Sequence, residues 1–412
     1  MKRICLVVLA LALLAVGGCT PPSPAEEKPP AETVTPTPRQ ITKSGSITRD
    51  ETWSGTIQVT GDIWLDDGAT LTILPGTTVL MAAGRDDQNR GAEWILDESI
   101  KEKLGPICTL AYDKSHIDIT GRIIAVGTPD EMIVFTSDST EPSYADWAGI
   151  LLRPGSRIEY CVVEYGGRMG IGVRSNIPQD ESVLISNNIV RHIFMGGISS
   201  QGTACPRIIS NDISDCGSEG IAVDPGAAPY IAYNTVKNST TGIATAPGSS
   251  ATIENNILID NIIGIESRAK DTIRHNHISS PARQIHEQSY MGHTWPYLML
   301  PPPIRFTGIQ VSMQCSATIE FNVIVDNDMG IAVVPTASPS LRIENNNIYD
   351  NDVNNITNPT VADISAQNNW WGTTDIDEIE AKIHHYNDDP SVGKVNYQPI
   401  ATAKIADAGP QD

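Results

Sequence analysis

Between Pro281 and Pro303 the chain gathers His286, Glu287, Tyr290, His293, Trp295 and Tyr297. Imidazole beside carboxylate can move a proton or ligate a metal, and the faces of Tyr and Trp can stack on a sugar ring. A loop packed by its own aromatics would have the same composition. No His-Glu-x-x-His zinc motif forms, because Tyr290 stands where the second His would be. A second polar set is dispersed: Arg174, Asp224, Glu266, Arg268 and Gln310. Each follows a Gly-Ile step by one or three residues beyond its Ile. If that Ile points inward along a strand, alternation puts both positions outside, on one face. Water alone also selects polar residues on an outward face.

Bringing these positions together requires a repeat, and the sequence contains one. Gly-Ile recurs at Gly149, Gly170, Gly197, Gly220, Gly242, Gly264, Gly308 and Gly330, separated by 21, 27, 23, 22, 22, 44 and 22 residues. Ile-x-x-Asn keeps the same beat, ending in Asn188, Asn211, Asn234, Asn256, Asn276, Asn322 and Asn346. Each unit holds short β-type runs between turn residues and no amphipathic helical stripe, which excludes helical solenoids and alternating βαβ folds. The pattern predicts an all-β solenoid of about 10–11 coils, each of three short strands stacked in parallel over a continuous apolar core. The recurring Asn suits a tight corner because it tolerates the left-handed backbone, and its amide can bond to the Asn of neighbouring coils. Cys161, three residues after Ile158, takes the Asn position one coil earlier and reads as structural.

The expected layout is a leader at 1–18, a Pro/Thr/Glu-rich tether at 19–48, a solenoid at 49–373 with insertions near 83–111 and 281–304, and a cap and tail at 374–412. Met1-Lys2-Arg3 precedes an apolar run from Leu6 to Val16, too short to span a bilayer. Val16-Gly17-Gly18-Cys19 resembles the lipobox of bacterial lipoproteins, which implies cleavage before Cys19 and lipid on it. The tether cannot bury enough apolar surface to fold. Loss of Lys2 and Arg3 takes the net charge from −21 to −23, which argues against nucleic acid and against direct adhesion to anionic lipid. Cys108, Cys161, Cys205, Cys216 and Cys315 form no CxxC pair or zinc spacing and read mostly as small buried hydrophobes. Ile376, Ile379 and Ile383, with Asp375, Asp377 and Glu378 after Thr374, predict an amphipathic helix over the C-terminal opening. Leu96, Ile100 and Leu104 suggest another helix in the first insertion. The Trp370-Trp371 pair is expected to bury against the last coil.

Two blocks carry a family resemblance: Thr52-Trp53-Ser54-Gly55 with Gly68-Ala69-Thr70-Leu71-Thr72-Ile73-Leu74-Pro75-Gly76, and Asn368-Asn369-Trp370-Trp371-Gly372 with Gly393-Lys394-Val395-Asn396-Tyr397-Gln398-Pro399. The chain resembles right-handed parallel β-helix, or pectin-lyase-like, proteins of bacterial surfaces from about residue 49 to 400. That resemblance implies a site along one strand face. Three functions follow from it: a carbohydrate-binding or structural module of the envelope; a polysaccharide lyase, epimerase or hydrolase acting on acidic glycans; or a periplasmic metal-related accessory protein. A lyase or epimerase of this kind needs a base near an acidic sugar's C5 proton and a cation such as Ca²⁺ on its carboxylate; Arg174 or Arg268 beside Asp224 and Glu266 are the candidates. Of the hydrolase blocks Asn-Thr-Asp, Asp-Asp, Gly-His-Gly and Arg-Ile-Lys, only Asp-Asp pairs occur, in turns. The expected setting is extracytoplasmic and lipid-anchored, with polysaccharide as partner, no nucleic acid, no metal site and no cofactor beyond that Ca²⁺.

Overall fold

The computed structural model describes residues 41–88, 118–180, 182–283, 305–337 and 340–411. Cys19, the 1–40 segment and the Leu96–Leu104 stretch lie outside them. Among the described residues almost every element is a strand, and successive coils pair in parallel. A typical coil has a first strand Thr252–Glu254, a second Ile257–Ile259 and a third Ile263–Ser267.

Three apolar columns form the core. Ile231, Ile253, Ile273, Ile319 and Ile343 stack through the first strands. Val236, Leu258, Ile278, Ile324 and Ile348 stack through the second. Ile221, Ile243, Ile265, Ile309, Ile331 and Ile356 stack through the third. All are at most 1% exposed, so each stabilises the stack by about 1.5–3 kcal/mol relative to an exposed side chain. The Gly before each third-strand Ile as far as Ile331 is there for space; before Ile356 stands Asn355. A Cβ at Gly264 would lie 2.4 Å from Ile278 Cγ2 and 2.5 Å from the Gly308 carbonyl oxygen.

The first turn of each coil carries the amide ladder. Nδ2 of each Asn donates to Oδ1 of the next from Asn188 through Asn211, Asn234, Asn256, Asn276, Asn322 and Asn346 to Asn369, at 2.9–3.0 Å. Each Oδ1 also accepts the backbone N–H of the Asn before it, as when Asn211 N donates to Asn234 Oδ1 at 3.0 Å. One expectation is corrected: the left-handed residue is not the ladder Asn but the one before it. Ser210, Tyr233, His275 and Phe321 hold φ between 55° and 57° there, a backbone that costs an L-residue about 1–2 kcal/mol. The Asn is kept for its amide and not for its φ. Cys161 ends the ladder with the same geometry. Its N–H donates to Asn188 Oδ1 at 2.9 Å, and its thiol reaches Ala125 O and Glu159 O, as the Asn256 amide reaches Ile231 O and Glu254 O. Cys216 and Cys315 are also buried.

The C-terminal opening is closed, though not wholly by a helix. The helix is Ile376–Glu380, N-capped by Asp375, which accepts from Asp377 N and Glu378 N. Ile383 lies beyond it, in a short strand paired to Ile356. Ile379 and Ile383 are buried while Ile376 is 40% exposed. The turn at Ala381 and Lys382 ends the helix early and lets Ile383 continue the third-strand column. Trp371 is buried and meets Tyr397 edge-on at 6.3 Å; Trp370 is half-buried.

Lengthened chain leaves the stack at the second turn, between second and third strands. Residues 138–148 join Ile133–Ser137 to Gly149–Leu152, and residues 280–306 join His277–Ser279 to Thr307–Val311. Residues 82–117 leave from the same place, after Thr78–Met81.

Candidate functional site

The residues that follow each inward third-strand Ile form one outward row. Leu151, Gly172, Ser199, Ala222, Ala244, Glu266, Gln310 and Ala332 are successive partners in register. Two residues further on, Arg174 pairs with Gln201. The stripe expected from the sequence therefore lies on one face, but in two clusters.

In the first cluster Arg174 Nη2 donates to Gln201 Oε1 at 3.2 Å, and Gln201 Nε2 donates to Ser199 Oγ at 3.2 Å. The sulfur of Met169 covers Gly172, where a Cβ would lie 2.0 Å from it. Burial pushes the Asp224 carboxyl up, and the charges of Arg168 and Arg174 pull it part of the way back. The second cluster centres on Glu266, which is 7% exposed. Its carboxylate accepts from Arg268 Nε and Nη2 at 2.9 and 2.6 Å, Gln310 Nε2 at 3.2 Å and Ser312 Oγ at 3.2 Å. Such a fork holds one rotamer of each partner.

Between the clusters lie two coils whose outward residues are Ala222 and Asp224, then Ala244 and Ala246. The face therefore forms a trough whose floor is Ala222, Ala244 and Ala246 with the Asp224 carboxyl at one side, between hydrogen-bonding walls. Its walls, at the coils of Ser199 and Glu266, are three coil steps apart, about 14 Å at about 4.8 Å per step. Sequence reading missed one residue of this trough. Glu219, beside Thr241 in the adjoining register, is half-buried. Burial raises its carboxyl, Ser218 and Arg268 oppose that, and Glu266 adds to it. A carboxyl two residues before the inward Ile was the signal, and it lay outside the positions that simple alternation marks.

His286, Glu287, Tyr290, His293 and Trp295 lie outside the described residues. The stems of their insertion are defined. Ala282 N donates to Asp260 Oδ1 at 2.9 Å and Phe306 N to Asp328 Oδ2 at 2.7 Å. Arg283 pairs with Asp328 at 3.2 Å and with Asp352. Phe306 packs with Ile262 and Ile263, and Ile263 shares the register of Glu219 and Thr241. The insertion therefore leaves along one border of the trough. On the other border a depression of about 620 Å³ is lined by Ser249, Arg268, Lys270 and Gln314 among others.

Among the described residues no group of three or more His, Cys, Asp and Glu is placed to hold a metal ion. Calcium does not fit the Glu266 cluster, because Arg268, Gln310 and Ser312 already occupy its oxygens. No described helix is long and apolar enough to cross a membrane.

Residues 148–293 match a family model described as the right handed beta helix region. With the parallel three-strand coils in view, this settles the fold. The chain is a right-handed parallel β-helix. A solved structure that superposes on this β-helix is that of a mutant of the periplasmic alginate epimerase AlgG, with 12% identity and a TM-score of 0.31 over 89% of this chain and 79% of that one. No curated protein matches the sequence.

Proposed function

We propose that this β-helix is an extracytoplasmic carbohydrate-binding protein, held to a membrane by lipid on Cys19, whose glycan lies in the trough between Gln201 and Glu266. The observation that carries this reading is the alanine floor between two fixed hydrogen-bonding clusters. A small floor lets a sugar ring approach the sheet, while the walls present oriented amide, guanidinium and hydroxyl groups to its hydroxyls. The same site would serve a structural role in the envelope if its glycan belongs to the cell wall. Affinity electrophoresis of the mature protein against neutral and acidic polysaccharides tests it. Retardation by at least one polymer is expected, weakened about tenfold in Arg174→Ala and in Gln310→Ala, the loss of roughly one hydrogen bond each. Binding to none, or equal binding by both variants, rejects the reading. Lipidation is tested separately: Cys19→Ser should move the protein out of the membrane fraction.

Glu219 favours a second reading, that the trough cleaves its glycan. Burial raises the Glu219 carboxyl above the ordinary carboxylate value, which favours the acid form that can give a proton to a glycosidic oxygen, and it lies near Glu266. Formation of new reducing ends or unsaturated products, abolished by Glu219→Gln, supports this reading. No product across the polysaccharide panel rejects it.

A further inference from the structure

After Pro399 the chain turns back and runs along the outside of coils it has already completed. Ala401 N donates to Asn369 O at 3.0 Å. Ile405 exchanges two hydrogen bonds with the Asn347 side chain, both at 2.9 Å. Lys404 Nζ meets the Tyr349 hydroxyl at 3.1 Å and stands 5.4 Å from its ring centre. The Asp407 carbonyl oxygen lies 3.0 Å from His275 Nδ1; a carbonyl only accepts, so that nitrogen carries the hydrogen. Gly409 N donates to Phe321 O at 2.8 Å, and Gln411 N to Asn255 Oδ1 at 2.9 Å. One segment of about a dozen residues thus ties five coils together from outside.

The surface beneath it differs from the same face elsewhere. Outward second-strand positions under the tail are Ile257, His277, Val323 and Asn347, in register. Val323 is 8% exposed, and its Cγ2 lies 3.2 Å from the Cβ position of Gly409. On the uncovered coils the face carries ion pairs, Arg191 with Glu164 and Lys237 with Asp212. The tail therefore closes over Val323 and Asn347 and leaves Ile257 37% exposed, with one titratable ring, His277, set between Ile257 and Val323.

We propose that residues 399–411 form a releasable strap, latched over His277 near neutral pH and loosened when that ring takes up a proton. Burial holds His277 below the ordinary histidine value; of the groups that face it, Asp326 at the next turn favours the imidazolium and Lys404 on the strap disfavours it. His275 serves as an anchor instead, since protonating its other nitrogen leaves the bond to Asp407 in place. Glu254 and Glu320 lie on its side of the strap. The sign follows from linkage. Release restores His277 to about its ordinary pKa of 6.5, so the released state binds the proton more tightly. Docking is at full strength above that pH and weakens by up to about tenfold per pH unit below it, until the docked ring itself titrates.

Amide exchange of the full chain, corrected for intrinsic rates, tests the strap. Protection at Ile405 and Gly409 should fall about tenfold between about pH 7.5 and about pH 5.5, while Ile324 in the core stays constant. In His277→Gln the fall should vanish. In Lys404→Gln, which alters only the strap and cannot unfold the stack beneath, it should shrink, because the docked ring loses one repelling cation. Protection that ignores pH in the wild type, or the same fall in His277→Gln, overturns the proposal.

Discussion

The two inner turns of this β-helix treat their amides differently. At the first turn the ladder runs without a gap from Asn188 to Asn369, and it bridges the long insertion: Asn276 still donates to Asn322 at 3.0 Å across 46 residues of sequence. The second turn has a partial ladder of its own. Ser239 N donates to Asn261 Oδ1 at 3.0 Å, and Asn327 Nδ2 to Asn351 Oδ1 at 3.1 Å. Between Asn261 and Asn327 the register gives the position to Pro281, which has no backbone N–H to donate. Asn327 Oδ1 is consequently buried with no hydrogen-bond donor among the described residues. That coil also carries the insertion at 280–306. A fully bonded ladder keeps the first turn short in every coil it spans, whereas the second turn can lengthen; in the coil before Cys161, outside the ladder, the first turn runs from Val126 to Ile133. The trough borders the second turn, so variation accumulates beside the candidate site and the spine stays uniform.

If this contrast is right, breaking the two ladders should cost different amounts. Asn256→Ala strips partners from Asn234, Asn276 and two carbonyls, and should lower unfolding free energy in urea by about 3–4 kcal/mol. Asn327→Ala, already short of one partner, should cost about 1–2 kcal/mol. Equal losses would remove the distinction. The contrast can also be sharpened by repair. Pro281→Asn supplies a backbone N–H and an amide opposite Asn327 Oδ1 and should raise stability by about 1 kcal/mol; a loss would mean that the backbone of Pro281 is needed where the insertion begins. The smallest effect concerns pH. The Glu219 carboxyl is raised in the folded state, so its favourable contribution is complete below the ordinary carboxylate value and fades as pH rises through the raised one. Glu219→Gln should therefore flatten that decline and leave the protein slightly more stable at neutral pH.

Much of this was legible in the sequence because stacking imposes one spacing on every coil. The Gly-Ile and Ile-x-x-Asn beats mark the third strand and the first turn, and Cys161 could be placed from spacing alone. The second ladder was not legible, since Gly166, Ile193, Cys216, Ser239 and Asn261 succeed one another there with no common side chain. The left-handed residue was misplaced by one position because the αL corner holds Asn in only half the coils, at Asn187, Asn255, Asn345 and Asn368, and Ser, Tyr, His or Phe in the others. The helix through Ile383 was over-extended because a spacing of four also suits a helix followed by a strand. The polar stripe was expected on one face, and Ala222 and Ala244 within it were legible too, since each follows a Gly-Ile step; which polar residues bond to one another needed the side-chain geometry. The course of the tail leaves no periodic trace, because its bonds go to main chain and to scattered amides.

The central claim is that the outward third-strand face is built to receive a glycan chain. Ala222→Trp fills the trough floor without entering the core and tests this directly, by calorimetric titration with whichever polysaccharide retards the wild type. The account predicts that binding disappears while the urea midpoint stays within error of the wild type. Undiminished affinity in that variant would place the ligand elsewhere and contradict it.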